Sequence, residues 1–163
     1  MMGRGETAMP IHKYCLLIPA LLVVGGMLLG ADAPPYDEKA DARHDLSAAI
    51  ATAGKAHKNV VLVFGANWCP DCRALDAQMH KAELASLIAG NFEIVKVDIG
   101  RHNKNLDLAK QYKVPIAHGI PALAVLDSGG QLLYAMDQGQ FANARSMSYE
   151  SIKEFFEQWK PKK

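Results

Sequence analysis

"FGANWCPDCRAL", Phe64 to Leu75, carries two of the chain's three cysteines, three positions apart, behind a tryptophan and with a proline between them. The run that leads into it, "VVLVFG" (Val60 to Gly65), is short, continuously apolar and rich in β-branched residues. That composition predicts a strand buried on both faces, a central strand of a sheet with parallel pairing. From Pro70 to about Ala89, Leu75, Met79, Leu84, Leu87 and Ile88 mark one amphipathic helix, with Gly90-Asn91 as its stop. Cys69 therefore falls between a buried strand and the first turn of a helix. Unpaired amide N–H groups and the helix dipole favour an anion there, so a thiolate is stabilised. Pro70 suits the first helical position because it lacks only a hydrogen bond the helix never had. Cys72 lies one turn deeper on the same face, close enough to close a small disulfide ring. This placement predicts Cys69 as an exposed nucleophile and Cys72 as a shielded resolving thiol.

Two other uses of the pair compete with redox chemistry. A ring this short removes little entropy from the unfolded chain, so a purely structural staple between residues 69 and 72 would stabilise little. Zinc asks for four ligands, and His44, His57, His80, His102 and His118 are scattered without metal-site spacing. No metal is expected, and redox exchange is the reading that remains.

The rest of the chain supplies the frame. Its 163 residues, 50% hydrophobic and 21% charged, suit one globular domain. A formal net charge of +1 without long like-charge blocks excludes a nucleic-acid footprint. The start, "MMGRGETAMPIHKYCLLIPALLVVGGMLLGADA", has Arg4 and Lys13 before an apolar run from Cys15 to Leu29 and ends on Ala31-Asp32-Ala33. That layout predicts a signal peptide over residues 1–33, cleaved after Ala33, with Met9 as an alternative start. The rival is an uncleaved N-terminal anchor, although the run is shorter than the roughly 20 residues a bilayer span needs. Cys15 reads as one more apolar residue of that run. Export, to a compartment expected to be the periplasm, would place Cys69 and Cys72 where disulfides persist.

Residues 34–40 are expected to be a Pro-rich linker and residues 41–163 the folded domain. Leu46, Ala49, Ile50 and Ala53 mark a first helix, ended by Gly54 and the "GKAHKN" cluster. "FEIVKVDI" (Phe92 to Ile99) is the next strand, and Asn105 to Tyr112 a short helix before Val114-Pro115. "PALAVLD" (Pro121 to Asp127) and "QLLYAM" (Gln131 to Met136), joined through Ser128-Gly129-Gly130, form a hairpin. Ser148 caps a last helix whose apolar face is Ile152, Phe155, Phe156 and Trp159. The order αβαβαββα predicts an α/β fold, a mixed sheet with helices on both faces.

"WCPDC" after an apolar strand, with "GIPA" (Gly119 to Ala122) entering a later one, resembles the thioredoxin superfamily over roughly Val60 to Trp159. The resemblance implies that Pro121 is cis beside the cysteines, that Ile120 presents backbone groups to an extended substrate, and that Trp68 forms a flat wall next to Cys69. Lys96 matches a family lysine near the site, against the plainer reading of a solvated surface strand residue. Many thioredoxins carry a buried acid six residues before the first cysteine to take the resolving thiol's proton; Val63 stands there in this chain. His118, three residues ahead of Pro121, is a candidate shuttle near neutral pH, against the plainer reading of a solvent-facing loop histidine. Asp71 sets a negative charge near Cys69 and opposes a very low thiolate pKa, unless it merely caps the helix.

The resemblance therefore implies a thiol:disulfide interchange protein of the exported type, without cofactor and monomeric. Its partners are protein disulfides and an upstream dithiol donor, and the membrane is a partner only if the N-terminal segment is retained. Reduction or isomerisation is the expected direction, and a disulfide oxidant the alternative. A non-catalytic binding module using the Ile120-Pro121 edge is another alternative, disfavoured by the intact cysteine pair. A peroxidase would need a Thr or Arg beside its cysteine, which "NWCPDC" does not supply.

Overall fold

The computed structural model describes residues 33–162, so the stretch read as a signal peptide lies, but for Ala33, outside the described residues. Four strands form one sheet in the order β2-β1-β3-β4, with β1 at Asn59–Gly65, β2 at Phe92–Asp98, β3 at Ala122–Leu126 and β4 at Leu132–Ala135. β1 runs parallel to β2 and antiparallel to β3, and β4 returns antiparallel on β3. Every residue of β1 is buried, as the uninterrupted apolar run requires of a central strand.

Strand alternation divides the interior in two. Val60, Leu62 and Phe64 of β1, with Ala124 and Leu126 of β3, pack under helix α1 (Ala42–Ala56) and α4 (Leu106–Gln111) through Leu46, Ala53 and Leu108. Val61 and Val63, with Leu123 and Val125, face Leu75 and Met79 of α2 (Pro70–Met79), Leu84 and Ile88 of α3 (Ala82–Asn91), and Ile152 and Phe156 of α5 (Tyr149–Gln158). Helices thus cover both faces, the expected α/β architecture.

Capping explains where the helices begin. Asp41 accepts the N–H groups of Arg43 and His44 at 3.0 and 3.1 Å, and Ser148 accepts that of Ser151 at 3.1 Å. α1 runs two residues past Gly54 and stops at His57, which takes a left-handed φ of 53°. In the β3–β4 hairpin Asp127 Oδ1 accepts N–H from Gly129 and Gln131, and Gly130 turns with φ +83°.

One expected helix is two. The chain breaks at His80-Lys81, where Lys81 is extended (ψ 137°) and starts α3. The apolar residues step by five from Met79 to Leu84, a break in the helical rhythm that one continuous helix would not show.

The expected linker also departs from its reading. Tyr36 is 1% exposed and belongs to the core. It is fixed to the active loop through Asn67, whose Oδ1 accepts the Tyr36 N–H and whose Nδ2 donates to the Tyr36 carbonyl, both at 2.9 Å.

Candidate active site

β1 ends at Gly65, and Ala66 to Trp68 turn the chain so that Cys69 becomes the N-cap of α2, with Pro70 in the first turn. The Cys72 amide donates to Cys69 Sγ at 3.1 Å, and one of the helix's unpaired N–H groups thereby points at the first sulfur. The two sulfurs are bonded to each other, with Cα atoms 5.3 Å apart. Cys69 Sγ also lies 3.5 Å from the Ile120 carbonyl oxygen, and the Ile120–Pro121 bond is cis, as the resemblance implied.

The nucleophile is less open than expected. Cys69 is 3% exposed and Cys72 1%, so in the disulfide form both are covered and differ little. The cover over Cys69 includes Ile120 (7% exposed), whereas its neighbour Trp68 remains 44% exposed. The indole is fixed by its Nε1–H, which donates to the Gly100 carbonyl at 2.7 Å, and its ring lies 6.0 Å from that of His102. An exposed, immobilised aromatic plane beside a sulfur is a surface on which a partner's apolar side chain can rest.

Asp71 does not present a free charge to Cys69. The 3-10 turn Ala144–Ser146 brings Arg145 over the first turn of α2, and Asp71 Oδ1 accepts its backbone N–H at 3.0 Å and its Nε–H at 3.2 Å. The backbone N–H of Arg145, followed by its side chain, holds the Asp71 carboxyl below the usual carboxylate range. A carboxyl with a lowered folded-state pKa contributes stability above the unfolded value, about 4, and loses it as pH falls through the folded value. Asp71→Asn should therefore cost less than about 1 kcal/mol near neutrality, as surface pairs do. In urea melts the gap from wild type should close below about pH 4. A gap that persists into acid would show that the cost is not that of the anion.

Lys96 stands in register with Val63 and is paired with Asp76, which lies four residues after Cys72 on α2. Its Nζ is also 5.4 Å from the centre of the Tyr36 ring. His118 is exposed on the turn Ile116–His118, and its Nδ1 is 2.8 Å from the Asp137 carbonyl, so its hydrogen bond goes to that carbonyl rather than to a sulfur. The structure thus gathers Trp68, Cys69, Cys72, Ile120 and Pro121, with Asp71 and Lys96 bordering them. Tyr36, Asn67 and Asp76 were missed. A lone tyrosine after Pro34-Pro35, and an acid one helical turn beyond Cys72, were the signals present. Among the described residues no group of three or more His, Cys, Asp or Glu could hold a metal ion, and no helix is long and apolar enough to cross a membrane.

A thioredoxin-like family profile matches residues 41–128. The solved structure of a disulphide isomerase from Xylella fastidiosa Temecula1 is 46% identical, with a TM-score of 0.76 over 78% of this chain and 98% of that one. A thioredoxin from Thermus thermophilus, 19% identical with a TM-score of 0.51 over 69% of this chain and 81% of its own, shares the fold. Among curated sequences, Probable nucleoredoxin 3 of Oryza sativa subsp. japonica is 30% identical over 46% of this chain; the chain spans 20% of that relative's length.

Proposed function

The chain belongs to the thioredoxin-like family, and from that premise we propose that it is a thiol–disulfide oxidoreductase that reduces or isomerises disulfides of exported proteins. The observation that carries this is the Cys69 sulfur, seated at the start of α2 with the Cys72 amide on it, bonded to Cys72 and facing the Ile120 carbonyl. A partner strand lying along Ile120-Pro121 would bring its disulfide to that sulfur, with Trp68 as the adjacent wall. The likeness to a disulphide isomerase over almost its whole length supports exchange chemistry.

Export rests on residues 1–33, whose short apolar run and Ala31-Asp32-Ala33 ending favour a cleaved signal and a periplasmic site of action. Direction rests on the surroundings of Cys69. Pro70 has no N–H to offer, and Asp71, already satisfied by Arg145, adds no positive field. A strong oxidant needs its reduced form stabilised by added donors or cations, and these residues provide none. The two-electron potential should accordingly lie nearer the reducing end, about −270 mV, than the oxidising end, about −120 mV. Equilibration of the cysteine pair against glutathione measures it. A value at the oxidising end would replace the reductant by a disulfide oxidant on the same scaffold. Cys72→Ser mixed disulfides trapped in cells, resolved by mass, would identify the partners, and adducts only with unexported proteins would contradict the location.

A further inference from the structure

A thiol–disulfide exchanger must ionise its resolving thiol inside the protein, and Val63 leaves the usual position for an acid empty of charge. Val63 and Gly65 point to the same face of β1, with Lys96 and Asp98 beside them in register on β2. The phenol of Tyr36 reaches the end of this strand at Gly65, with Lys96 Nζ 5.4 Å from its ring centre. A β-carbon placed on Gly65 would clash with the Tyr36 hydroxyl, lying 2.5 Å from Cζ and 2.9 Å from Cys72 Sγ. The hydroxyl and the resolving sulfur therefore both border the position a methyl group would take on Gly65.

That hydroxyl is buried and has no hydrogen-bond partner among the described residues. Leaving such a group orphaned is costly, and the cost is borne in the disulfide form. The carboxylates around it pair with lysines rather than with the hydroxyl. Asp76 of α2 is paired with Lys96 of β2, and Asp98 of β2 with Lys104 at 3.2 Å. Burial first, and then the charges of Asp76 and Asp98, push the phenol's ionisation upward, so it stays a neutral donor across the pH range of exchange.

We propose that the Tyr36 hydroxyl is the donor that stabilises the Cys72 thiolate in the resolving step. Cys69 thiolate first attacks a substrate sulfur; the Cys69–substrate bond forms, and the second substrate sulfur leaves as a thiolate that takes a proton from water. Cys72 then gives up its proton to the Asp76 carboxylate, which lines a surface hollow with Asn67, Arg73 and His80 and passes the proton to solvent. The resulting Cys72 thiolate accepts the Tyr36 O–H and attacks Cys69 Sγ. The mixed disulfide breaks, the Cys69–Cys72 bond forms, and the first substrate sulfur leaves as a thiolate and is protonated by water. Two electrons pass from the dithiol to the substrate disulfide. Tyr36 acts through Cys72 and touches no substrate, so it is a positioning residue.

The inference rests on the exchange reading and is tested with Tyr36→Phe in the full chain. Mixing reduced protein with oxidised glutathione separates two phases, attack by Cys69 and resolution by Cys72. The variant should keep the first and slow the second about tenfold, the loss of one hydrogen bond to a charged group. In a Cys69→Ser background, the alkylation profile of Cys72 should move up by about one pH unit. The potential should fall by about 30 mV for each tenfold loss. Removing an orphaned hydroxyl should also raise the melting midpoint of the oxidised form by roughly 3 °C, without raising that of the reduced form. A hydroxyl with only a structural role would shift both redox forms together and leave the Cys72 profile in place; that outcome overturns the proposal. A wild type that fails to exchange with glutathione would instead remove the exchange reading itself.

Discussion

Cys69→Ser should abolish exchange with protein disulfides, while Cys72→Ser should still attack them and stop as a mixed disulfide. The two sulfurs differ by position rather than by exposure, since both are nearly covered. Cys69 caps the helix, receives the Cys72 amide and faces the Ile120 carbonyl, at the edge where a partner strand can lie. Cys72 is one turn inside, beside Tyr36 and beneath Gly65. Replacing Cys69 removes the group that meets the substrate, and Cys72, one turn inside the helix, does not replace it. Replacing Cys72 removes only the thiol that breaks the adduct, so adduct accumulates in place of product. Gels run without reductant after challenge with oxidised insulin distinguish the two. Adducts on Cys72 in Cys69→Ser, with none on Cys69 in Cys72→Ser, would reverse the assignment.

Gly65→Ala should be strongly destabilising although it adds only one methyl group. Its β-carbon would clash with the Tyr36 hydroxyl and lie 2.9 Å from Cys72 Sγ, with neither group at the free end of a flexible chain. Either Tyr36 is driven out, with the Asn67 bonds that fix its backbone, or the end of β1 shifts against α2. Overpacking of this kind costs about 3 kcal/mol at its upper end. A thermal midpoint lowered by roughly 10 °C is the expected reading. Gly90→Ala is the control, because a β-carbon there meets nothing within 4 Å. In the last turn of α3 it should change stability by less than about 1 kcal/mol. Equal effects at the two glycines would show that the Tyr36 phenol is not packed beneath Gly65.

The sequence disclosed the parts of this fold that depend on local pattern. The apolar run at Val60 to Gly65 fixed a central strand, the cysteines after it fixed a site at a helix start, and Ser128-Gly129-Gly130 fixed the hairpin. The resemblance carried by "WCPDC" and "GIPA" added the cis Ile120–Pro121 bond. Burial periodicity writes such features into neighbouring residues, so they can be read from one chain. The two-helix form of residues 70–91 was hidden because α2 and α3 bury residues in the same interior, so their apolar positions read as one stripe despite the step from Met79 to Leu84. Polar pairings were less legible. Asp71 meets Arg145 across 74 positions, and Tyr36 meets Asn67 across 31. No spacing rule connects residues so far apart, and only the folded chain shows that Asp71 is neutralised and that a tyrosine in a Pro-rich stretch is part of the core.

Transfer of electrons from Cys69 and Cys72 to protein disulfides is tested most directly by dithiothreitol-driven reduction of insulin. Wild-type protein should accelerate precipitation of the freed insulin chains well above the dithiothreitol background, and a Cys69→Ser variant should return the rate to that background. A folded wild-type protein, with its cysteine pair fully reduced, that leaves the rate at background would contradict the account and leave a thioredoxin-fold binding module in its place.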